Sequence, residues 1–303
     1  MREDEYTLLA VVSPYCRGVS ILHSHRFKIL ALDIDGTILD REGNLRDRTI
    51  HAVNRAAEAG IRPILCTGRR YRRALSIAEK LGIHGPLVCN SGAILKDSTE
   101  HRTLWRADFE EGLLGEILNI FHHRNEPVLS FTDRSNESLD FLVSHAHSGR
   151  RLFDDYLDQN RPYAEINSGW VENPGPGHFH LCAIGTRSTM KEFDDLIHEN
   201  LPGRVQTFVQ KSPRYSGTMC EVLRHDANKW SALLQLARHW NVNPSEVCAV
   251  GDDMNDIPMI RGAGLGVAMG HACAAVKEVA DLVTGEDDED GVAMLIEDFL
   301  LGE

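Results

Sequence analysis

The chain has 303 residues, of which 42% are apolar and 25% are charged, and its formal net charge is −13. This length fits one large core with a second, inserted or appended domain. The composition is that of a globular protein and excludes disordered and fibrous classes. Because nucleic acids and anionic membranes attract clustered basic surfaces, the negative charge argues against both as main partners.

The cysteines and the N-terminus bear on the cellular compartment. Seven cysteines are scattered singly, with no C-x-x-C pair, and four are predicted to be small buried hydrophobes in a reducing compartment: Cys66, Cys89, Cys220 and Cys248. No run of about 18 apolar residues could span a bilayer, and the acidic first residues do not resemble a signal peptide. We therefore expect a cytoplasmic protein. Residues 1–26 form an N-terminal extension, either an added edge strand or a poorly ordered segment.

The first part of the chain, residues 27–95, alternates short apolar runs with amphipathic helical patterns. The runs "FKILAL", "IRPILC" and "GPLVC" predict strands, and "RDRTIHAVNRAAEAG" and "YRRALSIAEKLGI" between them predict helices. Gly82 is expected to close the second helix. The resulting order, βαβαβ, predicts an α/β fold with a doubly wound parallel sheet.

The same alternation returns in residues 218–303, where "KWSALLQLARHW" predicts a helix and "SEVCAV", "GLGVAM" and "DLVT" predict strands. Residues 96–217, between the two parts, have hairpin-like strands and the Pro/Gly cluster "NPGPG". Such a connection is far too long for a loop. We therefore expect a core domain formed by residues 27–95 and 218–303, with an α+β domain inserted between them.

Polar residues follow the predicted strands, at the sheet edge where ligands bind in open α/β folds. Asp33 and Asp35 follow the first strand, and "TGR", which begins at Thr67, follows the second. Lys229 opens the helix after the insertion, and "GDDMND", residues 251–256, follows "SEVCAV". These four groups are the candidate site.

The chemistry of these groups suits an anion held on a metal. Four carboxylates in one cleft would repel one another unless a cation were bound: Asp33, Asp35, Asp252 and Asp256. Oxygen ligands favour a hard ion such as Mg²⁺, whose coordination shell a substrate phosphate completes. The Thr67 hydroxyl, Lys229 and backbone amides around Gly36 suit phosphate oxygens.

"DIDGT", "TGR", the isolated lysine and "GDDMND", in that order, resemble the four motifs of the haloacid dehalogenase superfamily. The insertion between the second and third motifs, "CNSGAIL", and the C-terminal "GLGVAMGHACAAVKEVADLVTGEDDEDGVAMLI" resemble the Cof-type (subclass IIB) phosphatases. The similarity covers residues 27–303. It implies a Rossmann-like core and an inserted α/β cap of the C2 type.

The resemblance also implies roles for individual residues. Asp33 would be the nucleophile that becomes an aspartyl phosphate, and Asp35 the general acid and then base, with its backbone carbonyl on the metal. Thr67 and Lys229 would hold the transferring phosphoryl group. The implied substrate-binding residues are Gly36, Thr67, Gly68, Lys229 and Asn255. The implied metal site consists of Asp33, Asp35, Asp252 and Asp256, although Asp256 could instead orient the ligands or contact the phosphate.

Two positions depart from the family pattern. Trp230 follows the lysine where glycine is usual, and His271 replaces asparagine in "AMGHA". Neither change removes a catalytic group, so we expect them to affect loop packing. Arg69 either orients its loop or pairs with a nearby acid, and the structural role is favoured. His178 and His180 are expected to pack or contact substrate, because no third metal ligand accompanies them.

These features predict a Mg²⁺-dependent phosphomonoester hydrolase that acts on a sugar phosphate or a similar small phosphorylated metabolite. Its oligomeric state stays open. One alternative is a phosphohexomutase, in which Arg150, Arg151 and Arg161 could hold a bisphosphorylated intermediate. Another is a non-catalytic protein that binds a phosphorylated metabolite, although the intact pair Asp33 and Asp35 argues against it.

Overall fold

A computed structural model of the chain describes residues 26–211 and 215–302. The expected N-terminal extension therefore lies outside the described residues, except for Arg26. Within the described ranges, no helix combines the length and apolar character needed to cross a membrane. The four cysteines predicted to be buried are buried and free of disulfides.

The elements follow one another with short connections in most of the chain. The strands are β1 (Ile29–Leu32), β2 (Arg62–Leu65), β3 (Pro86–Cys89), β4 (Ile94–Asp97), β5 (Thr103–Arg106), β6 (Leu129–Arg134), β7 (Leu139–Val143), β8 (Ala164–Ile166), β9 (His180–Gly185), β10 (Val205–Lys211), β11 (Thr218–Arg224), β12 (Val247–Gly251), β13 (Leu265–Ala268) and β14 (Leu282–Val283). The α-helices are α1 (Asp47–Glu58), α2 (Tyr71–Leu81), α3 (Glu111–His123), α4 (Arg151–Asn160), α5 (Arg187–Asn200), α6 (Lys229–His239), α7 (Ile257–Gly262), α8 (Ala274–Val279) and α9 (Gly291–Met294).

The core sheet is parallel and has the strand order β14-β13-β12-β1-β2. A parallel bridge between Cys66 and Val88 brings β3 alongside the end of β2. β1, β12 and β13 are buried along their whole length, as expected for strands covered by helices on both faces. The predicted doubly wound α/β core is therefore confirmed.

The helices that cover this sheet begin and end where local chemistry favours it. α2 ends at Gly82, which adopts the left-handed conformation at φ 71°, as predicted. α6 begins with a capping box. The Asn228 side chain accepts a hydrogen bond from the Ser231 backbone N–H, and the Ser231 hydroxyl accepts one from the Asn228 backbone N–H. This cap fixes the start of the helix at Lys229.

A second sheet has the order β10-β11-β9-β6-β7-β8 and is mainly antiparallel. α3 and α5 cover one face, where Phe121 and Phe193 meet edge to face in a buried apolar cluster. Phe153 and Tyr156 of α4 belong to a second buried apolar cluster, which also contains residues of the core sheet. This α/β unit lies between the two parts of the core in sequence, where the cap is expected.

The sheet pairing differs from the expected boundaries at residues 96 and 217. β4 pairs with β3, and β5 pairs with β4, in a three-stranded antiparallel sheet, so the core side continues to Arg106. β11, expected with the core, pairs along its length with β9 and β10 in the cap sheet. Short apolar strands do not reveal their partners in sequence. From these pairings, the chain passes from the core to the cap after Arg106 and returns to the core after Arg224.

Candidate active site

The candidate site lies at one edge of the core sheet because parallel strands end there together. Leu32 is in register with Leu65 of β2 and Val250 of β12. The Asp33 N–H donates to the Val250 carbonyl at 3.1 Å. The Thr67 N–H donates to the Val88 carbonyl of β3 at 2.9 Å. The residues that follow β1, β2 and β12 therefore converge, as the sequence predicts.

Lys229 lies buried between two carboxylates of this edge. Its Nζ donates to Asp33 Oδ1 and to Asp256 Oδ1, each at 2.6 Å. Burial alone would lower the pKa of Lys229, but Asp256 and Asp33 raise it, so the ammonium stays protonated. For Asp33, burial raises the pKa, Lys229 opposes this rise, and the neighbouring acids add to it. The pKa of Asp33 lies well above its usual value, and Lys229 limits this rise.

Asp256 uses both of its carboxylate oxygens within the protein. Oδ1 accepts from Lys229, and Oδ2 accepts from the backbone N–H groups of Asp252 at 3.0 Å and Asp253 at 3.1 Å. The side chain is fully buried. These bonds shape the "GDDMND" loop and favour a role for Asp256 in orienting the site.

The acids at this edge fit a hard divalent cation. Ligand atoms of Asp33, Asp252 and Asp256 all lie within 4.8 Å of one another. Asp252 Oδ1 is buried and has no hydrogen-bond partner among the described residues. Burial raises the pKa of Asp252 to about 6, which shows how strongly the cleft opposes an uncompensated negative charge. Oxygen donors of this kind suit Mg²⁺.

Gly36 allows Asp252 to approach the loop after β1. Its φ is +79°, and a Cβ added there would lie 2.4 Å from Asp252 Oδ2. Any other residue would displace the carboxylate. The sequence predicts that Gly36 lies near bound phosphate, and the structure shows that it also lies against Asp252.

Asp35 is held by Arg69. The guanidinium donates from Nε to Asp35 Oδ2 and from its terminal nitrogen to Asp35 Oδ1, both at 2.6 Å. Such parallel hydrogen bonds fix the orientation of a carboxylate. Arg69 does pair with an acid, and that acid is the candidate proton donor.

Thr67, Gly68 and Asn255 lie close together. The Arg69 N–H donates to Thr67 Oγ1 at 3.1 Å, which orients the hydroxyl. A Cβ added to Gly68 would lie 3.6 Å from the Asn255 amide nitrogen and 3.5 Å from that of Gln210. The candidate phosphate-side residues are thus adjacent, and a cap residue of β10 reaches them.

The sequence interpretation missed a set of cap and turn residues beside this loop. Ser91 lies in "CNSGAIL", which served only as a family signature, and its Oγ donates to Glu221 Oε2 at 2.5 Å. Glu221 and Gln210 lie on neighbouring cap strands. The polar glutamate within the apolar run of β11 was the signal that could have identified it.

The two departures from the family pattern have different surroundings. Trp230 packs against Gly262, where a Cβ would lie 2.3 Å from the indole. His271 Nε2 lies 3.7 Å from Asp252 Oδ2, and its Nδ1 lies 3.4 Å from Asp287 Oδ1. His271 also forms a possible ion-binding group with Glu286 and Asp287, but Arg41 donates to Glu286 at 2.5 Å. His271 thus contacts the candidate metal site as well as its own loop.

The remaining histidine and arginine candidates are accounted for by protein contacts. His178 stacks on Trp170, and His180 accepts a hydrogen bond from Asn90 at 3.2 Å. Neither belongs to a possible metal-binding group within the described ranges. The arginines considered for a mutase are exposed: Arg150, Arg151 and Arg161. Two of them donate to backbone carbonyls, of Asn125 and Ala146.

The chain resembles known proteins over nearly its whole length. The model of a family described as haloacid dehalogenase-like hydrolase matches residues 30–296. An HMP-PP phosphatase from Yersinia pseudotuberculosis is 28% identical over 90% of this chain and 96% of its own length. Phosphatase YwpJ from Bacillus subtilis is 30% identical over 90% of this chain and 100% of its own. The solved structure of BT4131, described as a HAD subclass IIB sugar phosphatase, has a TM-score of 0.73 at 20% identity and covers 90% of this chain and 99% of its own.

Proposed function

Since this chain belongs to the haloacid dehalogenase-like hydrolases and is a phosphatase of their Cof branch, we propose that it hydrolyses a small phosphomonoester through an aspartyl phosphate on Asp33. The observation that carries this proposal is the Lys229 ammonium, buried between Asp33 and Asp256, together with an Asp252 oxygen that has no hydrogen-bond partner within residues 26–211 and 215–302. In this arrangement the ammonium opposes the rise in pKa that burial gives Asp33, inside a cleft that suits both an anion and a cation.

The proposed first step is attack of Asp33 on phosphorus. Asp33 Oδ1 accepts a hydrogen bond from Lys229, so Oδ2 is the attacking atom. Thr67 and Lys229 hold the equatorial oxygens, on which charge is spread in the transition state. Bound at Asp33 and Asp252, Mg²⁺ would neutralise charge on the phosphoryl group and so lower the repulsion that Asp33 meets.

Asp35 is the proposed proton carrier. In the first step it protonates the leaving oxygen, and in the second it takes a proton from the water that attacks the aspartyl phosphate. The two hydrogen bonds from Arg69 hold the carboxylate at a fixed place for both transfers. Asp256 supports the site by fixing Lys229 and the 252–253 backbone.

We propose a sugar phosphate or a similar small phosphorylated metabolite as the substrate. A relative named HMP-PP phosphatase and a structural neighbour described as a sugar phosphatase support this class. The cap lies over the phosphate-side loop, with Gln210 beside Gly68, so the leaving group meets cap residues. A mutase is less well supported, because its candidate arginines are exposed.

The test is phosphate release from a panel of phosphorylated metabolites, with and without Mg²⁺, and with Asp33→Asn as the blank. Acid quenching during turnover should yield a phosphorylated peptide that contains Asp33. With p-nitrophenyl phosphate, whose leaving group needs little protonation, Asp35→Asn should accumulate this species, because the second step loses its base. Release of phosphate by Asp33→Asn at the wild-type rate would contradict the proposal. An isomerised hexose phosphate in place of free phosphate would support the mutase instead.

A further inference from the structure

A buried turn, Asn90–Gly92, lies between the candidate site and the cap. Its three residues have positive φ values of 51°, 54° and 95°. Asn90 and Ser91 adopt this left-handed conformation at an energetic cost, so surrounding contacts must hold them there. Gly92 is required for space, because a Cβ would lie 2.0 Å from the carbonyl carbon of Asn228, the residue before Lys229.

On its core side, the turn holds the loop after β2. The Asn90 N–H donates to the Arg69 carbonyl, and the Ser91 N–H donates to the Thr67 carbonyl, each at 3.0 Å. These two carbonyls belong to the residues that carry the candidate phosphate-binding hydroxyl and the guanidinium on Asp35. A shift of the turn would therefore move both functional groups.

On its cap side, the turn is bonded to two strands. Ser91 Oγ donates to Glu221 Oε2 of β11 at 2.5 Å, and the Asn90 side chain donates to His180 Nδ1 of β9 at 3.2 Å. Ser91 is fully buried and Glu221 is 3% exposed. The Gln210 side chain of β10 also hydrogen-bonds Glu221. His180 Nε2 of β9 lies 3.8 Å from Glu221 Oε1, so side chains of three cap strands lie together at this carboxylate.

We propose that Glu221 is a positioning residue for phosphoryl transfer, which acts through Ser91 to hold the loop that carries Thr67 and Arg69. This inference rests on the proposed function. No contact with the substrate is assigned to Glu221. Its effect is transmitted through the hydroxyl and backbone amide of Ser91 to the carbonyl of Thr67.

The charge state of Glu221 is expected to matter near neutral pH. Burial raises the pKa of Glu221 to about 7, while the hydrogen bonds from Ser91 and Gln210 and the charge of Lys229 oppose the rise. The titratable groups that face it are His180 and Cys182 of β9, Lys229 of α6 and Asp253 after β12, and burial raises the pKa of the Cys182 thiol, so it stays neutral. Burial lowers the pKa of His180 to about 3, so this imidazole stays neutral and does not titrate in the same range. An ionised Glu221 accepts the Ser91 hydroxyl more strongly than a protonated one does.

The test compares wild type with Glu221→Gln, which keeps the shape and removes the ionised form. We would measure kcat and KM for p-nitrophenyl phosphate between about pH 5.5 and 8.5, across the range where the raised pKa lies. We expect Glu221→Gln to lose about 5- to 10-fold in kcat at the alkaline end and to approach wild type at the acidic end. Glu126→Gln is the control, because burial also raises the pKa of this cap glutamate, which lies on the loop after α3.

The Tm of Glu221→Gln distinguishes a positioning role of Glu221 from a merely structural one. Ionising a buried carboxyl destabilises the folded protein as pH rises toward its raised pKa, so Glu221→Gln should have a higher Tm than wild type at the alkaline end. Activity and Tm are therefore expected to change in opposite directions. Ser91→Ala should show the same loss of kcat, and the double variant should lose little more than either single variant.

The proposal is overturned if the pH profile of kcat for Glu221→Gln superimposes on that of wild type. It is also overturned if Glu126→Gln loses as much kcat as Glu221→Gln. Orthophosphate binding in the presence of Mg²⁺, measured by calorimetry, gives a readout that does not need turnover. A wild type that releases no phosphate from any ester would contradict the proposed function. In that case, weaker orthophosphate binding by Glu221→Gln would still support the positioning role, and equal binding would refute it.

Discussion

Arg69 donates two hydrogen bonds of 2.6 Å to the two oxygens of Asp35, the candidate proton carrier. The guanidinium therefore fixes the orientation of this carboxylate, although it follows a different strand from its partner. A lysine cannot reproduce this pairing, because its ammonium is a single point of charge.

The first prediction concerns this pair. Arg69→Ala should lower kcat for an alkyl phosphate by about 10- to 100-fold, because Asp35 loses the orientation needed to protonate the leaving oxygen. The loss should be smaller for p-nitrophenyl phosphate, whose leaving group needs little protonation. Arg69→Lys should recover part of the rate. Steady-state kinetics with both substrates provides the measurement, and equal losses on the two would exclude a role in proton transfer.

The second prediction concerns the stability contributed by Lys229. Lys229→Met leaves Asp33 and Asp256 buried without their cation, so the free energy of unfolding in the absence of Mg²⁺ should fall by about 3 kcal/mol. Urea unfolding measures the loss. Lys28→Met is the matched control, since Lys28 pairs with Glu246 at the surface and its removal should change little. Adding Asp33→Asn to Lys229→Met should restore part of the stability.

The third prediction concerns Mg²⁺ affinity and pH. The raised pKa of Asp252, about 6 without metal, means that protons compete with the cation below this value. The apparent Kd for Mg²⁺ should therefore be nearly constant above about pH 7 and should rise as the pH falls through 6. Calorimetric titration at several pH values tests this. A Kd that stays constant down to about pH 5 would show that Asp252 is not a ligand.

The sequence predicted the core of this protein well because its signals are local. Apolar runs of a few residues followed by a polar residue marked the ends of β1, β2 and β12, and parallel strands bring such ends together. The end of α2 was also predictable, since Gly82 takes a conformation that favours glycine.

The contacts that complete the site are not local and were not predicted. Ser91 and Glu221 are 130 positions apart, and their hydrogen bond depends on the register of β11 in the cap sheet. The partner of Arg69 depends likewise on how two loops meet at the sheet edge. A hydrophobic pattern specifies which face of a strand is buried, but it leaves the partner strand open.

The last prediction uses two glycines that share a backbone conformation and differ in surroundings. Gly36 has φ +79° and Gly43 has φ +83°; a Cβ on Gly43 would meet nothing within 4 Å, whereas one on Gly36 would lie 2.4 Å from Asp252 Oδ2. Gly36→Ala and Gly43→Ala should each destabilise the protein by about 1 kcal/mol, because both force alanine to positive φ.

Only Gly36→Ala should displace the Asp252 carboxylate, so it alone should weaken Mg²⁺ binding, by about 10-fold or more. Calorimetry measures metal affinity, and thermal unfolding measures the shared cost of the backbone. Because strain at positive φ is common to both variants, a difference in metal affinity isolates the close approach of Gly36 and Asp252. Equal Mg²⁺ affinities in the two variants would place the cation away from Asp252 and would require another arrangement of the acids around Asp33.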